Sequence, residues 1–363
     1  MWPAGRWPSW PFAAAGALFV GASGAALGGL LTSRFAVDVD RYTDFGRRML
    51  DGEIPYRDFF MEYPPGAIPA FIPSGLASQG DFVLVFKLAM TACGLVTLAF
   101  VVAILKHLEA DRSRSLRAVG LVVIAPLALG PVFLNRYDLW PTALATAGLY
   151  ALVRQRPAAA GGTLAASFSA KLFTIAAAPV AVVRLRSTRR PRGVRRALLA
   201  AVAVGIAIFL PFFLVAPGGL GYSAYIQTIR NLHTESLGGS LLMALGSLDV
   251  IDVEVIQGKP NSLDLAGGLA EVVGVALGVV QLGTIVWVTL RYARFRPEAD
   301  EQLVTAFAAA ITAYLTFGKV LSPQYLVWLV PIVPLVRGRA GTTATAVLFV
   351  ALVLTQIESF YGD

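Results

Sequence analysis

The residues of this chain whose types and positions suit chemistry fall into a few short stretches. Asp38 and Asp40 directly follow an apolar run. They open the densest polar segment of the chain, VDVDRYTDFGRRMLDGEIPYRDFFMEYPPG, from Val37 to Gly66. Carboxylates at that water boundary are candidates for acid–base chemistry. An aspartate there also suits the N-cap of a following helix, although capping needs only one of the two. Glu62 precedes Tyr63-Pro64-Pro65, a stiff extended turn because each proline restricts the residue before it, and is either a binding carboxylate or a brace for the loop. Arg136 and Asp138, in NRYDLWP, form a tight polar turn that is either functional or a structural ion pair. Lys171 lies inside apolar SFSAKLFTIAAAP. A charge inside a spanning helix costs about 2.5–3.5 kcal/mol on insertion scales, so Lys171 is a functional residue or else a snorkelling or carboxylate-paired structural lysine. Lys319 and Gln324, in GKVLSPQYLVW, come with Tyr325 and Trp328, aromatic residues of the kind that anchor a membrane–water boundary. Lys87 reads as a snorkelling side chain.

Other chemistries find no support. The two histidines, His107 and His233, with the single Cys93, supply no metal-site spacing, and Cys93 has no partner for an intramolecular disulfide. There is no phosphate-binding glycine loop, serine elbow or zinc motif, which argues against a nucleotide-powered enzyme.

The scaffold that must position these groups is a membrane bundle. Of 363 residues, 56% are hydrophobic and 14% charged, against roughly 25% charged in soluble domains. Apolar runs at 11–33, 81–105, 118–134, 197–216, 266–290 and 341–357 approach or reach the ~17–25 residues of a spanning helix. None alternates as barrel strands do, so the fold is expected to be an all-α polytopic transmembrane bundle. The net charge of +8 does not point to nucleic acid, because the basic residues occupy short loops where the positive-inside bias accounts for them. The first run exceeds the ~7–15 apolar residues of a signal peptide and reads as an uncleaved span.

With the amino terminus and Arg6 inside, span 11–33 leads out to segment 34–80. Span 81–105 returns to KHLEADRSRSLR, 118–134 goes out to NRYD, and 138–153 comes back to RQR. Segment 158–183 ends at RLRSTRRPRGVRR, the most basic stretch, which a single crossing would place outside. A re-entrant hairpin broken near Lys171 and Pro179 keeps both flanks inside. The later loops then sort by charge: 197–216 out to 217–265, whose strong bases are Arg230 and Lys259; 266–290 in to RYARFR; 302–317 out; 325–336 in to RGR; 341–357 out. This predicts about nine full spans plus the hairpin, in one transmembrane domain over 1–363, with 34–80 as a first and 217–265 as a second outer loop. Tyr42, Phe45 and Met49, and later Tyr222, Tyr225, Ile226, Ile229 and Leu232, recur with helical period and predict helices lying in the interface.

Taken in order, D-x-x-x-Y (Asp38 to Tyr42), G-x-x-P-Y-R-D (Gly52 to Asp58), E-Y-P-P-G (Glu62 to Gly66), N-R-Y-D-L-W-P (Asn135 to Pro141), the lysine segment around Lys171 and G-K-V-L-S-P-Q-Y-L-V-W (Gly318 to Trp328) cover most of the chain. In these the chain resembles the membrane-embedded glycosyltransferases of the C superfamily (GT-C type), in particular family 87. That family includes polyprenyl-phosphate-mannose-dependent α-mannosyltransferases of actinobacteria. The resemblance implies a hexosyltransferase of the EC 2.4 class with a cavity open to the outer leaflet of the plasma membrane, a polyprenyl-phosphate sugar donor and a glycolipid or polysaccharide acceptor. It implies catalysis by Asp38, with Asp40 as the fallback. Arg136, Lys171 and Lys319 are the candidates to bind the donor phosphate, and Tyr42, Glu62, Tyr63, Asp138, Gln324 and Tyr325 to line the sugar or acceptor pocket. It requires no cofactor and allows a divalent cation. Relatives usually continue with more helix where this chain stops, after an outward span. The preference for arginine over lysine and the abundant alanine fit a GC-rich actinobacterial genome. A transporter or flippase of lipid-linked sugars would share broken helices and intramembrane charges, but predicts inverted repeats that the sequence lacks.

Overall fold

The computed structural model describes residues 10–34, 37–187, 192–258 and 262–361. Arg6, Lys259, Arg189 and Arg190, used above to orient the chain, lie outside them. The helices are α1 (Trp10–Ala25), α2 (Val37–Leu50), α3 (Ile68–Gly75), α4 (Phe82–His107), α5 (Arg112–Leu129), α6 (Pro131–Asn135), α7 (Leu139–Val153), α8 (Pro157–Ala170), α9 (Ala178–Ser187), α10 (Gly193–Val215), α11 (Pro217–Thr228), α12 (Leu237–Ser247), α13 (Gly268–Arg294), α14 (Asp300–Thr316) and α15 (Gly338–Tyr361). Among the described residues, α4, α10, α13 and residues 338–357 of α15 are long and apolar enough to cross a membrane. Helices α10 and α13 turn Leu198, Ile206, Phe213, Val275, Leu282 and Trp287 outward, as lipid-facing helices do.

Polar groups collect at two ends of the bundle. At one end, His107 at the close of α4 meets Asp300 at the start of α14 (3.1 Å), and Arg154, just after α7, reaches His107 at 3.4 Å. Arg184 on α9 pairs with the same Asp300. Arg114 near the start of α5 forks onto Glu301 at 2.6 and 2.8 Å and also holds the Leu335 carbonyl. The chain therefore leaves this end after Arg154 and is back at it by Arg184. Within the hairpin, α8 ends at Ala170 and Lys171 is extended (φ −160°, ψ 131°). A 3₁₀ segment, Leu172–Ala177, then turns back, so that Thr174 Oγ1 bonds Leu164 O at 3.3 Å. The break falls on Lys171; Pro179 sits in the first turn of α9, where its missing N–H costs nothing.

The structure differs from the sequence reading in several places. Residues 325–336 form no continuous helix but 3₁₀ segments, Pro323–Trp328 and Val333–Leu335. Pro331 and Pro334 remove helical hydrogen bonds there, and such backbone is tolerated because Val327, Trp328, Leu329, Val330, Ile332, Val333 and Leu335 are buried in protein. The second outer loop is not purely helical. It holds α11, α12 and an antiparallel sheet of β1 (Leu232–His233), β2 (Glu254–Gly258) and β3 (Ser262–Ala266) in the order β1-β3-β2. Val255 and Ile256 ahead of G-K-P-N were a strand-and-turn signal that the helical period of 222–232 overshadowed. In α2 the apolar face lies on protein rather than being presented outward, with Val39, Tyr42 and Phe45 buried. In α11, Tyr222 and Tyr225 are exposed as an interfacial face would be, whereas Ile226 is buried and Leu232 belongs to β1. Lys87 does not snorkel: fully buried, it donates to the carbonyls of Gly28, Gly29 and Thr32 at 2.5, 2.8 and 2.5 Å, past the end of α1. Those carbonyls lack helical partners, and a cation is a favourable donor to them.

Candidate active site

The other end of the bundle gathers most of the sequence-predicted residues. Helix α2 begins at Val37, so Asp38 and Asp40 both lie in its first turn, where negative charge opposes the helix dipole favourably. Asp38, Arg41, Tyr42 and Phe45 follow the helical period and share a face, while Asp40 points about 200° round from Asp38 and is exposed. Asp38 Oδ2 pairs with Arg136 Nη1, and the two side chains keep 22% and 31% of their surface exposed. Tyr42 is buried, stacked on Phe71 at 4.9 Å and Phe86 at 5.4 Å, with Tyr63 and Tyr137 edge-on at 5.6 Å. Burial pushes the Tyr42 and Tyr63 phenols up, so both stay protonated and neither serves as a base near neutral pH.

The motif from Gly52 to Asp58 builds the turn that presents Glu62. Asp58 Oδ2 accepts from the Ile54 N–H at 2.7 Å, Arg57 forks onto the same carboxylate, and Tyr56 takes a left-handed φ of 69°. The Tyr56 hydroxyl donates to the Tyr63 carbonyl at 2.5 Å. Glu62 is buried, and its Oε1 takes Arg41 Nη1 at 3.0 Å, while its carbonyl accepts from Gln227 Nε2 of α11 at 3.2 Å. Gly66 lies so close to the Ser169–Ala170 backbone that a Cβ would overlap it, and its carbonyl accepts from Trp140 Nε1 at 2.9 Å. The E-Y-P-P-G turn is thus clamped against the residue before Lys171.

Below the open Asp38–Arg136 rim lies a buried floor. Asp138 Oδ1 accepts from Lys171 Nζ at 2.7 Å and from Trp328 Nε1 at 2.8 Å. Its Oδ2 is buried with no partner among the described residues. Lys171 Nζ also faces the rings of Tyr325, Tyr137 and Trp328 at 4.7, 4.8 and 5.5 Å. Trp328 stacks on Phe173 at 4.2 Å and Tyr325 at 4.3 Å, so it is part of the site's wall, not the boundary anchor its sequence setting indicated. Such a cage stabilises the cation by about 0.5–2 kcal/mol per ring.

Lys319 is only loosely tied to this group. Its Nζ donates to Thr228 O at 3.2 Å, and its carbonyl accepts from His233 N at 2.9 Å. Gln324 is half-buried beside Tyr325. Two residues that the sequence reading left out stand close in: Arg41, on the Asp38 face of α2, and Arg230, whose charge acts on both Lys171 and Tyr325. The helical period exposes Arg41; Arg230 has no comparable signal, because a turn and a strand bring it in. Among the described residues no group of three or more His, Cys, Asp or Glu is arranged to hold a metal ion.

A helical bundle with outward apolar helices, and with carboxylates and cations paired at one end around a partly open rim, defines a membrane protein with an enzyme-like polar site. The family description "Glycosyltransferase family 87" matches residues 60–323, and the chain belongs to that family. It is a GT-C membrane glycosyltransferase, a transferase of EC class 2.4. The match includes Glu62, Tyr63, Arg136, Asp138, Lys171, Arg230 and Lys319; Asp38, Asp40, Tyr42, Gln324 and Tyr325 lie outside it. No curated protein matches the chain.

Proposed function

We propose that the chain transfers a sugar, mannose by family likeness, from a polyprenyl-phosphate donor to a hydroxyl of a glycolipid or polysaccharide at the extracytoplasmic face of the plasma membrane. The observation that carries this is the Asp38–Arg136 pair at the open rim, two residues along the chain from the buried Asp138 that holds Lys171. It sets an accessible carboxylate beside fixed cations, which is what inverting transfer from a phosphate needs. Asp38 takes the proton of the acceptor hydroxyl as its oxygen attacks the anomeric carbon from the face opposite the phosphate. The bond from that carbon to the phosphate oxygen breaks with its electron pair, and polyprenyl phosphate leaves as a monoester carrying the extra negative charge. A positioned base contributes about 10²–10⁴-fold, and cations fixed at a low-dielectric boundary stabilise the charge that develops. Tyr63, Gln324 and Tyr325 border the sugar and acceptor, with the buried Tyr42 and Glu62 packed behind them.

The matching topology has about nine crossings: α1, α4, α5 with α6, α7, α10, α13, α14, the 323–335 segment and α15, with α8–α9 as the hairpin. The test uses the protein in lipid with radiolabelled polyprenyl-phosphate-mannose and a membrane extract as acceptor source. Wild type and Asp40→Asn are expected to move label into a new product, and Asp38→Asn to bind donor without transfer. Equal transfer by Asp38→Asn would remove it as the base. No transfer from any polyprenyl-phosphate sugar would favour a carrier of lipid-linked sugars.

A further inference from the structure

The charges of Arg136, at the rim, and of Arg230 both act on the buried Lys171, and of these three cations two have a carboxylate. Arg136 is paired with Asp38 and Lys171 with Asp138. Arg230 makes no ion pair among the described residues. Its Nη2 lies 2.8 Å from His233 Nε2, its Nη1 reaches Gln227 Oε1 at 3.5 Å, and its Nε is buried without a hydrogen-bond partner. Through Gln227 it is linked to the Glu62 carbonyl, and its charge acts on Lys171 and Tyr325. A part-buried guanidinium whose charge acts on another cation, with an idle N–H and no ion pair of its own among the described residues, is electrostatically incomplete.

We propose that Arg230 is a ligand of the donor's phosphate group and that neutral His233 is the positioning residue that aims it; this rests on the polyprenyl-phosphate reading above. The tautomer follows from the bonds. His233 Nδ1 lies 2.8 Å from the Leu321 carbonyl, which only accepts, so Nδ1 carries the proton and Nε2 accepts from Arg230. His233 is buried in β1, with its N–H on Lys319 O, which fixes the ring and through it the guanidinium. The charged groups facing the ring are Arg230, and Asp264 across the sheet, whose Oδ1 is 3.5 Å from Nε2 and buried without a hydrogen-bond partner. Burial, then the Arg230 charge, hold the His233 pKa below its usual value, against the pull of the Leu321 carbonyl and Asp264. Arg230 is therefore aimed at neutral pH. In acid, Nε2 becomes a donor, turns to Asp264, and leaves Arg230 without its acceptor.

The experiment measures binding of undecaprenyl phosphate to the purified chain in nanodiscs for wild type, Arg230→Lys, Arg230→Met and His233→Gln, each checked for wild-type melting. Arg230→Met is expected to bind about tenfold or more weakly at pH 7.5, with Arg230→Lys in between. The lipid monoester itself titrates near pH 6, so the acid effect is read as the difference between proteins. Wild type is expected to lose more affinity below pH 6 than His233→Gln, whose amide accepts from Arg230 at any pH. Wild-type affinity in Arg230→Met overturns the phosphate role, and equal acid sensitivity in His233→Gln overturns the positioning role. Wild type that binds no undecaprenyl phosphate, yet transfers sugar from another donor, sinks the donor reading and this proposal with it.

Discussion

Asp138 and Lys171, 33 positions apart in the chain, form a 2.7 Å ion pair that joins the turn before α7 to the break between α8 and the 3₁₀ segment that follows it. The side chains are 2% and 14% exposed, and only Trp328 Nε1 also satisfies the bonded Asp138 oxygen. Removing one partner of a buried pair leaves an uncompensated charge, which typically costs about 3–5 kcal/mol. Lys171→Met is expected to destabilise the protein by that order, with Asp138→Asn in the same background restoring part of the loss. Tryptophan fluorescence during unfolding in detergent reads this directly, since Trp328 is at the pair. If Lys171→Met melts as wild type does, the pair contributes nothing to the fold.

The turn that carries Glu62 depends on an exposed acid. Hydrogen bonds from the Arg57 side chain, first, and from the Ile54 N–H hold Asp58 at about 2, below its usual 3.8. A depressed folded-state pKa means the stabilising contribution is complete above the usual value and is lost as pH falls through the folded one. Residues 52–59 are therefore expected to stay protected from hydrogen exchange down to about pH 4 and to loosen between about pH 4 and 2. Asp58→Asn should show the looser turn already at neutral pH. Identical exchange in both proteins across that range would show that the carboxylate does not hold the turn.

Gly66 is expected to be intolerant of a single methyl group. A Cβ there overlaps the Ser169 carbonyl and the Ala170 nitrogen, backbone atoms that cannot rotate away as a side chain would. Gly66→Ala must push the E-Y-P-P-G turn off α8 and weaken the Trp140 bond to the Gly66 carbonyl, at a cost of about 1–3 kcal/mol. Because the turn abuts the residue before Lys171, transfer activity should fall further than melting alone accounts for. A variant with wild-type melting and activity would show that the close approach is not needed.

Legibility followed the kind of signal each feature leaves. Asp38, Arg136, Asp138 and Lys171 were visible as polar residues beside or inside apolar runs, because lipid makes such placements costly. The return of the chain between Arg154 and Arg184 to one end of the bundle is foreshadowed by the basic residues at both its flanks. The partners were not. That Lys171 meets Asp138 rather than lipid headgroups, and that Trp328 turns inward to the same carboxylate, depends on packing between segments far apart in sequence. Arg230 and the sheet that carries His233 were hidden in a loop whose first residues have a helical period and whose later ones alternate. The segment 325–336 is apolar and of nearly spanning length, and only Pro331 and Pro334 hinted that it would not be one helix.

Sidedness gives the sharpest test of the hairpin. Arg154 and Arg184 meet the same His107–Asp300 cluster, so the chain must begin and end its excursion through Lys171 on one side. The Asp58 turn and the loop at Asp249 should lie on the opposite side. Cys93 is the only cysteine, so Cys93→Ser gives a clean background. In it, Gln155→Cys and Ser187→Cys are expected to resist a membrane-impermeant maleimide in intact cells and to react after permeabilisation. Arg57→Cys and Asp249→Cys are expected to react without it. Labelling of Ser187→Cys alone from outside would mean that 158–183 crosses once, which would invert every later loop and place RYARFR outside against its charge. Such a result would also put α11 and Arg230 on the side opposite Glu62, in contradiction to the bond from Gln227 to the Glu62 carbonyl.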